Sequence, residues 1–366
     1  MADVGGPFSY YWRTITNVEY QGAFIGYWHL LAIFSILSAI FLFFLAYLVL
    51  RADPKRSKNR FMALMLLTEA LRCSTSMLFW VYAWPEWFLE VLKPARVLYY
   101  TMSFQLFILY MVAATYYSEL QWAKKISQFF RVHGLYILPL FCFTVILGTS
   151  QLLGGTSEAI GDISWTYCDE NGVGTGTTAS GAELPFTVTC ASELESIYPM
   201  TFSNVALGPL TRVLLFVPLI GAVVAMITIS TSKRRIDQGD NTYLIGEVRA
   251  VRLGFIGKTI LQITTTVILF TMIYILGTAP TLETHPFNPD DQVPDLLILL
   301  APLMPTAVVL AALFEGLVFT YAVIKNDMFG VDEKLRKTFI SATFFGLGGV
   351  LILVATEAME SVFDQG

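Results

Sequence analysis

Histidine is nearly missing from this chain, cysteine is scarce, and charge is thin. Three histidines and four cysteines stand among 366 residues, and charged side chains make up 14% of the total. His29, His133 and His285 lie far apart in sequence, without carboxylate or thiol neighbours at metal-site spacings. No zinc or iron centre is therefore expected. No Walker loop, Ser/His/Asp order or GxGxxG following a strand occurs, so enzymatic chemistry has no positive support. Basic tracts paired with aromatics in a soluble module are also lacking, and nucleic acid is not an expected partner. The first 26 residues have no basic n-region, short apolar stretch and small-residue cleavage site. The first apolar helix is accordingly expected to direct insertion itself.

Apolar sequence is what the chain has in quantity. Hydrophobic residues make up 55% and mean hydropathy is +0.62. Apolar runs recur at about 27–50, 61–84, 95–117, 134–153, 205–230, 253–278, 295–324 and 339–363. Each reaches the ~20 residues that cross ~30 Å of hydrocarbon. The expected fold is an all-α membrane bundle of eight spans forming one domain, 1–366. The aromatic-rich residues 1–26 suit the headgroup region ahead of the first span.

The charges order these spans. Loops 51–60, 118–132, 231–252 and 325–338 hold 17 of the 23 basic residues, whereas 154–204 and 279–295 hold none. Short loops rich in Lys and Arg stay in the cytoplasm. Strict alternation over eight spans then places both termini outside, and the chain is expected to be multi-pass in the plasma membrane. Loop 154–204 is polar with a Gly/Thr-rich centre, and it carries Cys168 and Cys190 on the outer, oxidising side. A disulfide between them would stabilise the loop by roughly 3 kcal/mol in the chain-entropy model. Cys73 and Cys142 fall within spans and are expected to pack.

Several charges fall inside spans: Glu69, Arg72, Arg212, Lys258, Glu315 and Glu357. A charge at mid-bilayer costs at least ~2.5–3.5 kcal/mol, so such residues face the bundle interior and pair. Counted from the inner face, Glu69 and Glu315 lie at ~14 Å, Arg72 at ~18 Å and Lys258 at ~9 Å along their helices. Together they would make a neutral cluster, with Glu69 and Arg72 sharing one helix face at i and i+3. Arg212 and Glu357 would form a second pair nearer the outer face, and Arg96 would reach water at the outer boundary. These charges either fix helix register or handle a ligand, an ion or a proton. Pro302 and Pro305 in APLMPT supply a kink in the seventh span and a candidate hinge.

The phrase FTYAVIKNDMFGVDEKLRKTF resembles the end of the seven-transmembrane sensor region of prokaryotic histidine kinases. Tyr321, Ala322, Val323, Ile324, Lys325, Met328, Phe329 and Asp332 carry the likeness, and Arg336, Lys337 and Thr338 continue it. The match covers about 30 residues, 320–348. It implies an outward-facing sensor whose seventh helix passes a signal inward. Here the chain enters an eighth apolar run, with no kinase, cyclase or phosphatase sequence before Gly366. Output would then pass through a cytoplasmic or membrane signalling partner, with a small molecule as possible ligand. A small-molecule or ion transporter using the same charges is the alternative, and a structural subunit of a membrane complex is a third. Retinal on Lys258 is not expected, because the third span has no carboxylate to act as counterion.

Overall fold

A computed structural model describes residues 25–77, 89–116, 121–129, 134–160, 164–168, 173–178, 183–189, 196–200, 208–236, 242–278 and 306–318, together with the single positions 300, 303, 337 and 341. The helices are α1 (Ile25–Ala52), α2 (Ser57–Met77), α3 (Leu89–Tyr116), α4 (Gln121–Phe129), α5 (Leu135–Leu152), α6 (Thr156–Ile160), α7 (Pro209–Ile236) and α8 (Thr242–Thr278), followed by α9 (Thr306–Val318). Five of them contain segments long and apolar enough to cross a membrane: Phe34–Ala52, Pro94–Tyr116, Leu135–Leu152, Pro209–Thr231 and Val248–Thr271. These coincide with five of the eight expected spans. The seventh expected span, 295–324, is described at α9 and at positions 300 and 303. The eighth expected span lies outside the described residues except for position 341.

α2 corresponds to the second expected span but is not one of the five. Lys58, Arg60, Glu69 and Arg72 dilute its 21 residues. It nevertheless sits at the centre of the packing, with Phe61, Met62, Met65, Leu66 and Ala70 buried. α1 and α2 form a tight hairpin. Asp53 accepts the backbone N–H groups of Lys55 and Arg56 through Oδ1 at 3.0 and 3.1 Å, and Asn59 Nδ2 donates to the Val49 carbonyl at 3.1 Å. This turn satisfies polar groups that an exposed helix end would leave to water. α3 packs on α2, α5 and α7, and α7 packs on α8.

Contacts along the helices fix their directions. α2 runs antiparallel to α3, since Ser57 meets Tyr116 at one end and Arg72 meets Ser103 and Tyr99 further along. α7 and α8 are antiparallel, with Ser230 against Arg252 and Phe216 stacked on Phe270. α8 and α9 are antiparallel too, because Gly257 abuts Phe314 while Gly254 abuts Val318. The bundle therefore has two distinguishable ends. One carries the α1–α2 hairpin and the basic residues Lys55, Arg56, Lys233, Arg234 and Arg235; the other receives the segment between α6 and α7.

That segment differs from the expected irregular loop. All-α describes the bundle, but the loop adds a four-stranded antiparallel sheet, β1 (Ser164–Cys168), β2 (Val173–Thr178), β3 (Glu183–Thr189) and β4 (Ser196–Met200), in the order β3-β2-β1-β4. Thr, Val and aromatic residues in SWTYC and FTVT favour the pleat, and a register shift at Thr175/Thr177 interrupts the β2–β3 pairing. The insertion is closed at its base. The Ile160 carbonyl accepts Gly208 N–H at 3.2 Å and the Thr211 hydroxyl at 2.6 Å. α5 ends through Gly154 and Gly155, both at positive φ, and Gly155 N–H returns to the Ser150 carbonyl at 2.9 Å. Only glycine adopts that conformation cheaply.

Two expected boundaries move. Residues 231–252 are largely helical, because α7 continues to Ile236 and α8 starts at Thr242. Arg96 is buried and not in water at a boundary. Cys73 and Cys142 are buried free thiols, as packing residues should be. Cys168 ends β1, whereas Cys190 lies outside the described residues. No disulfide occurs among the described residues.

Candidate functional site: a buried charge clamp joining α2, α8 and α9

The site begins with a lysine that cannot snorkel. Lys258 sits near the middle of α8 and is 1% exposed, with Glu69 and Glu315 at 2% and 3%. Its ammonium donates to a carboxylate oxygen of Glu69 on α2 and to one of Glu315 on α9. One cation thus holds two acids from two helices. The Tyr110 hydroxyl on α3 donates to the same oxygen of Glu69. The Lys258 Nζ also stands 4.6 Å from the centroid of the Tyr110 ring, a cation–π distance. Phe255, one turn before Lys258, meets that ring edge-on at 5.5 Å. Four helices converge on a single ammonium.

Local sequence explains the convergence. Gly257 precedes Lys258, and a methyl group at 257 would clash with the Phe314 ring, the residue before Glu315. Gly316, which follows Glu315, packs where a methyl group would lie 2.6 Å from the Phe41 ring and 3.0 Å from Leu42 on α1. Small residues on both sides of the ion pair let α8 approach α9 and α9 approach α1, as small residues do where membrane helices meet. Counted from residue 253, Lys258 falls nearer the inner face than the two acids. The apolar part of α8 begins at Val248, not near 253. That adds five residues and brings Lys258 to ~15 Å, level with Glu69 and Glu315.

Arg72 completes the charge balance from one turn above Glu69. Its guanidinium donates to Ser103 Oγ at 3.1 Å and to the Tyr99 hydroxyl at 3.4 Å, and lies over the Tyr99 ring at 5.3 Å. It also lines the same small cavity as Glu69 and Lys258. Two acids and two cations therefore share one buried neighbourhood, which limits the cost of removing them from water. The cavity, about 30 Å³, extends between α2, α7, α8 and α9. That is room for about two water molecules. Gln262 is part of its lining, with both amide atoms buried and without a hydrogen-bond partner among the described residues.

The other expected site residues fall elsewhere. Arg212 occupies the first turn of α7 with an exposed side chain. Glu357, Pro302 and Pro305 lie outside the described residues, as do the kinase-like positions 321–332. Tyr110 and Gln262 were not singled out from sequence. A tyrosine in the aromatic third span carries no distinguishing signal, and only the antiparallel pairing of α2 and α3 places it opposite Glu69. Gln262 could have been found as the polar residue one turn beyond Lys258 on an apolar helix. Among the described residues, no group of three or more His, Cys, Asp or Glu could hold a metal ion. Comparison with protein-family models, with curated proteins and with solved structures gave no match.

Proposed function

We propose that this chain is a multi-pass integral membrane protein of the plasma membrane that works as a sensor module. In this reading it signals to a partner through movement of α9. The observation that carries the proposal is the Glu69–Lys258–Glu315 clamp, which ties three helices together through one lysine. Such a clamp is a two-state element. Neutralising Glu315 by protonation, or drawing it to another cation, leaves the Lys258–Glu69 pair intact and frees α9 alone. Breaking a buried pair costs about 3–5 kcal/mol. Releasing even ~3 kcal/mol shifts a two-state equilibrium about a hundredfold, at 1.4 kcal/mol per tenfold. The kinase-sensor resemblance at 320–348, which follows α9 in sequence, agrees with output through that helix. The basic α1–α2 hairpin would face the cytoplasm and the β-sheet the exterior.

Ion transport is the second reading, favoured by the hydrated-size cavity beside the clamp. Its 30 Å³ admits water or a small ion and leaves no chamber for an organic substrate. One experiment separates the two. Nitroxide labels at Leu253 on α8 and Leu317 on α9, both on the exposed surface, report the separation of these helices in nanodiscs across an acid titration. A sensor shows a change in label separation that Glu315→Gln locks in its acid form. A transporter shows pH-driven ion flux in liposomes that the same substitution abolishes. If neither movement nor flux occurs, the clamp only sets helix register and the sensor proposal fails.

A further inference from the structure

The cavity beside the clamp is not symmetric about it, and the helix directions say which way it points. Arg72 lies one turn beyond Glu69 along α2, towards the end of the bundle that carries the sheet. Gln262, Thr265 and Thr266 lie one to two turns beyond Lys258 along α8, in the same direction. Val308 and Ala311 precede Glu315 on α9, which runs opposite to α8, so they too lie on the sheet side. The α7 contribution, Leu215, Pro218 and Leu219, comes from the half of that helix nearest its start at the sheet. Four helices agree on one direction.

Among the described residues, the opposite side of the clamp is apolar. Towards the hairpin end, Phe61, Met65 and Leu66 of α2, Val251 of α8 and Ala113 of α3 are all buried within one apolar core. A dry apolar layer of this kind excludes water and ions without any moving part. On the sheet side, Gln262 has a buried donor and a buried acceptor that no group among the described residues satisfies. A buried amide is destabilising in that state unless water supplies the missing bonds. The space is polar and large enough for that water.

We infer that the clamp is hydrated from the sheet end alone, through a two-water cavity lined by Arg72, Gln262 and Thr266, and exchanges protons with that compartment only. The inference rests on reading the clamp as proton-responsive and deepens it by naming the face that is sensed. The groups facing the exchanging carboxylates are Arg72 from α2, Tyr110 and Tyr99 from α3 and Lys258 from α8. The Cys73 thiol, one turn beyond Glu69 on α2, also belongs to this neighbourhood and is engaged by Ser35 of α1, while the described α7 residues lining the cavity are apolar. The Gln262 amide bridges the water to the clamp, as donor to one molecule and acceptor from the other.

Cysteine accessibility tests the direction independently of any movement. Thr266→Cys and Ala311→Cys are introduced singly, on different helices, into a full-length background with the four native cysteines replaced by alanine. Val251→Cys serves as the sealed-side control. Silver ion, a thiol-reactive probe close to water in size, is applied to one face of sealed proteoliposomes of known orientation. The remaining thiol is then titrated with maleimide after solubilisation. The expected result is blockage of positions 266 and 311 at least about tenfold faster from the sheet side, with position 251 unreactive from either side. Adding Gln262→Leu, which fills the cavity with an apolar side chain, is expected to slow blockage by a similar factor. Equal rates from both faces, faster blockage from the hairpin side, or no reaction at either cysteine in a monodisperse protein would overturn the inference. One-sided silver access without any pH-driven change in label separation would leave the cavity standing and remove the sensor reading. Movement with access from the wrong face would do the reverse.

Discussion

At the residue scale the molecule depends on one ammonium. Lys258 donates to Glu69 and Glu315, so removing it leaves two buried carboxylates without their cation. Lys258→Met is expected to destabilise the bundle by about 3–5 kcal/mol, the cost of breaking a buried pair from one side. The triple substitution Glu69→Gln, Lys258→Met, Glu315→Gln removes all three charges together and is expected to recover more than half of that loss. Tyr110→Phe keeps the ring against Lys258 and Phe255 and deletes only the hydroxyl, for a loss nearer 1.5–3 kcal/mol, as for a hydrogen bond to a charged group. Thermal unfolding of the purified variants in one lipid nanodisc preparation ranks the three. If Lys258→Met proves no worse than the triple variant, the ammonium is not what holds these helices, and the clamp loses its energetic basis.

At the scale of the element, what brings the charges together is backbone proximity. α8 and α9 meet glycine to phenylalanine, and the same crossing carries Lys258 against Glu315. Gly257→Ala forces the Phe314 ring to move and pushes the two helices apart, at a cost typical of overpacking, about 1–3 kcal/mol. Shortening the opposing ring in a Gly257→Ala, Phe314→Leu double variant is expected to restore at least half of it. The two changes are then coupled, which a double-mutant cycle on unfolding free energies measures directly. Additive losses would mean that Gly257 and Phe314 do not set the spacing of α8 and α9. The apolar runs made most elements legible in sequence, and five expected spans agree with the apolar helices within a few residues at most ends. α2 needed the opposite logic. Its charges lower its hydropathy although Glu69 and Arg72 are met by neighbouring helices, so hydropathy alone undervalues the element at the centre of the packing. The sheet was illegible for a different reason. Its strands are short and separated by Gly, Asp and Ser, and the Gly/Thr-rich VGTGTT has no apolar alternation to mark one face. The clamp itself was half legible. The four charges stood out as too costly to leave unpaired, while Tyr110 and the small residues flanking the ion pair acquire meaning only once the helices are placed.

At the scale of the whole molecule, the bundle and its sheet are joined through a narrow base. Ile160 at the end of α6 and Gly208 ahead of α7 are tied by a backbone hydrogen bond, and Thr211 adds a second bond to the same carbonyl. A methyl group at Gly208 would lie within 3 Å of the backbone of Glu158 and Ala159, so the two ends of the insertion are held against each other by packing as well. The bundle can therefore close this gap without the residues between, and the clamp lies in helices whose mutual contacts do not pass through them. Replacing residues 161–207 by a short Gly/Ser linker is expected to leave a monodisperse protein whose unfolding midpoint falls by only a few degrees, the effect of a change near 1 kcal/mol in a chain of this size. Lys258→Met in that shortened chain is expected to cost as much as in the full one, because distant sites with no shared partners act additively. Loss of folding on excision would show instead that the sheet braces the helix ends. A diminished effect of Lys258→Met would show that the clamp and the sheet are coupled. If the sheet proves dispensable for stability, its attachment at the end towards which the clamp's cavity points leaves it free to govern what reaches that cavity.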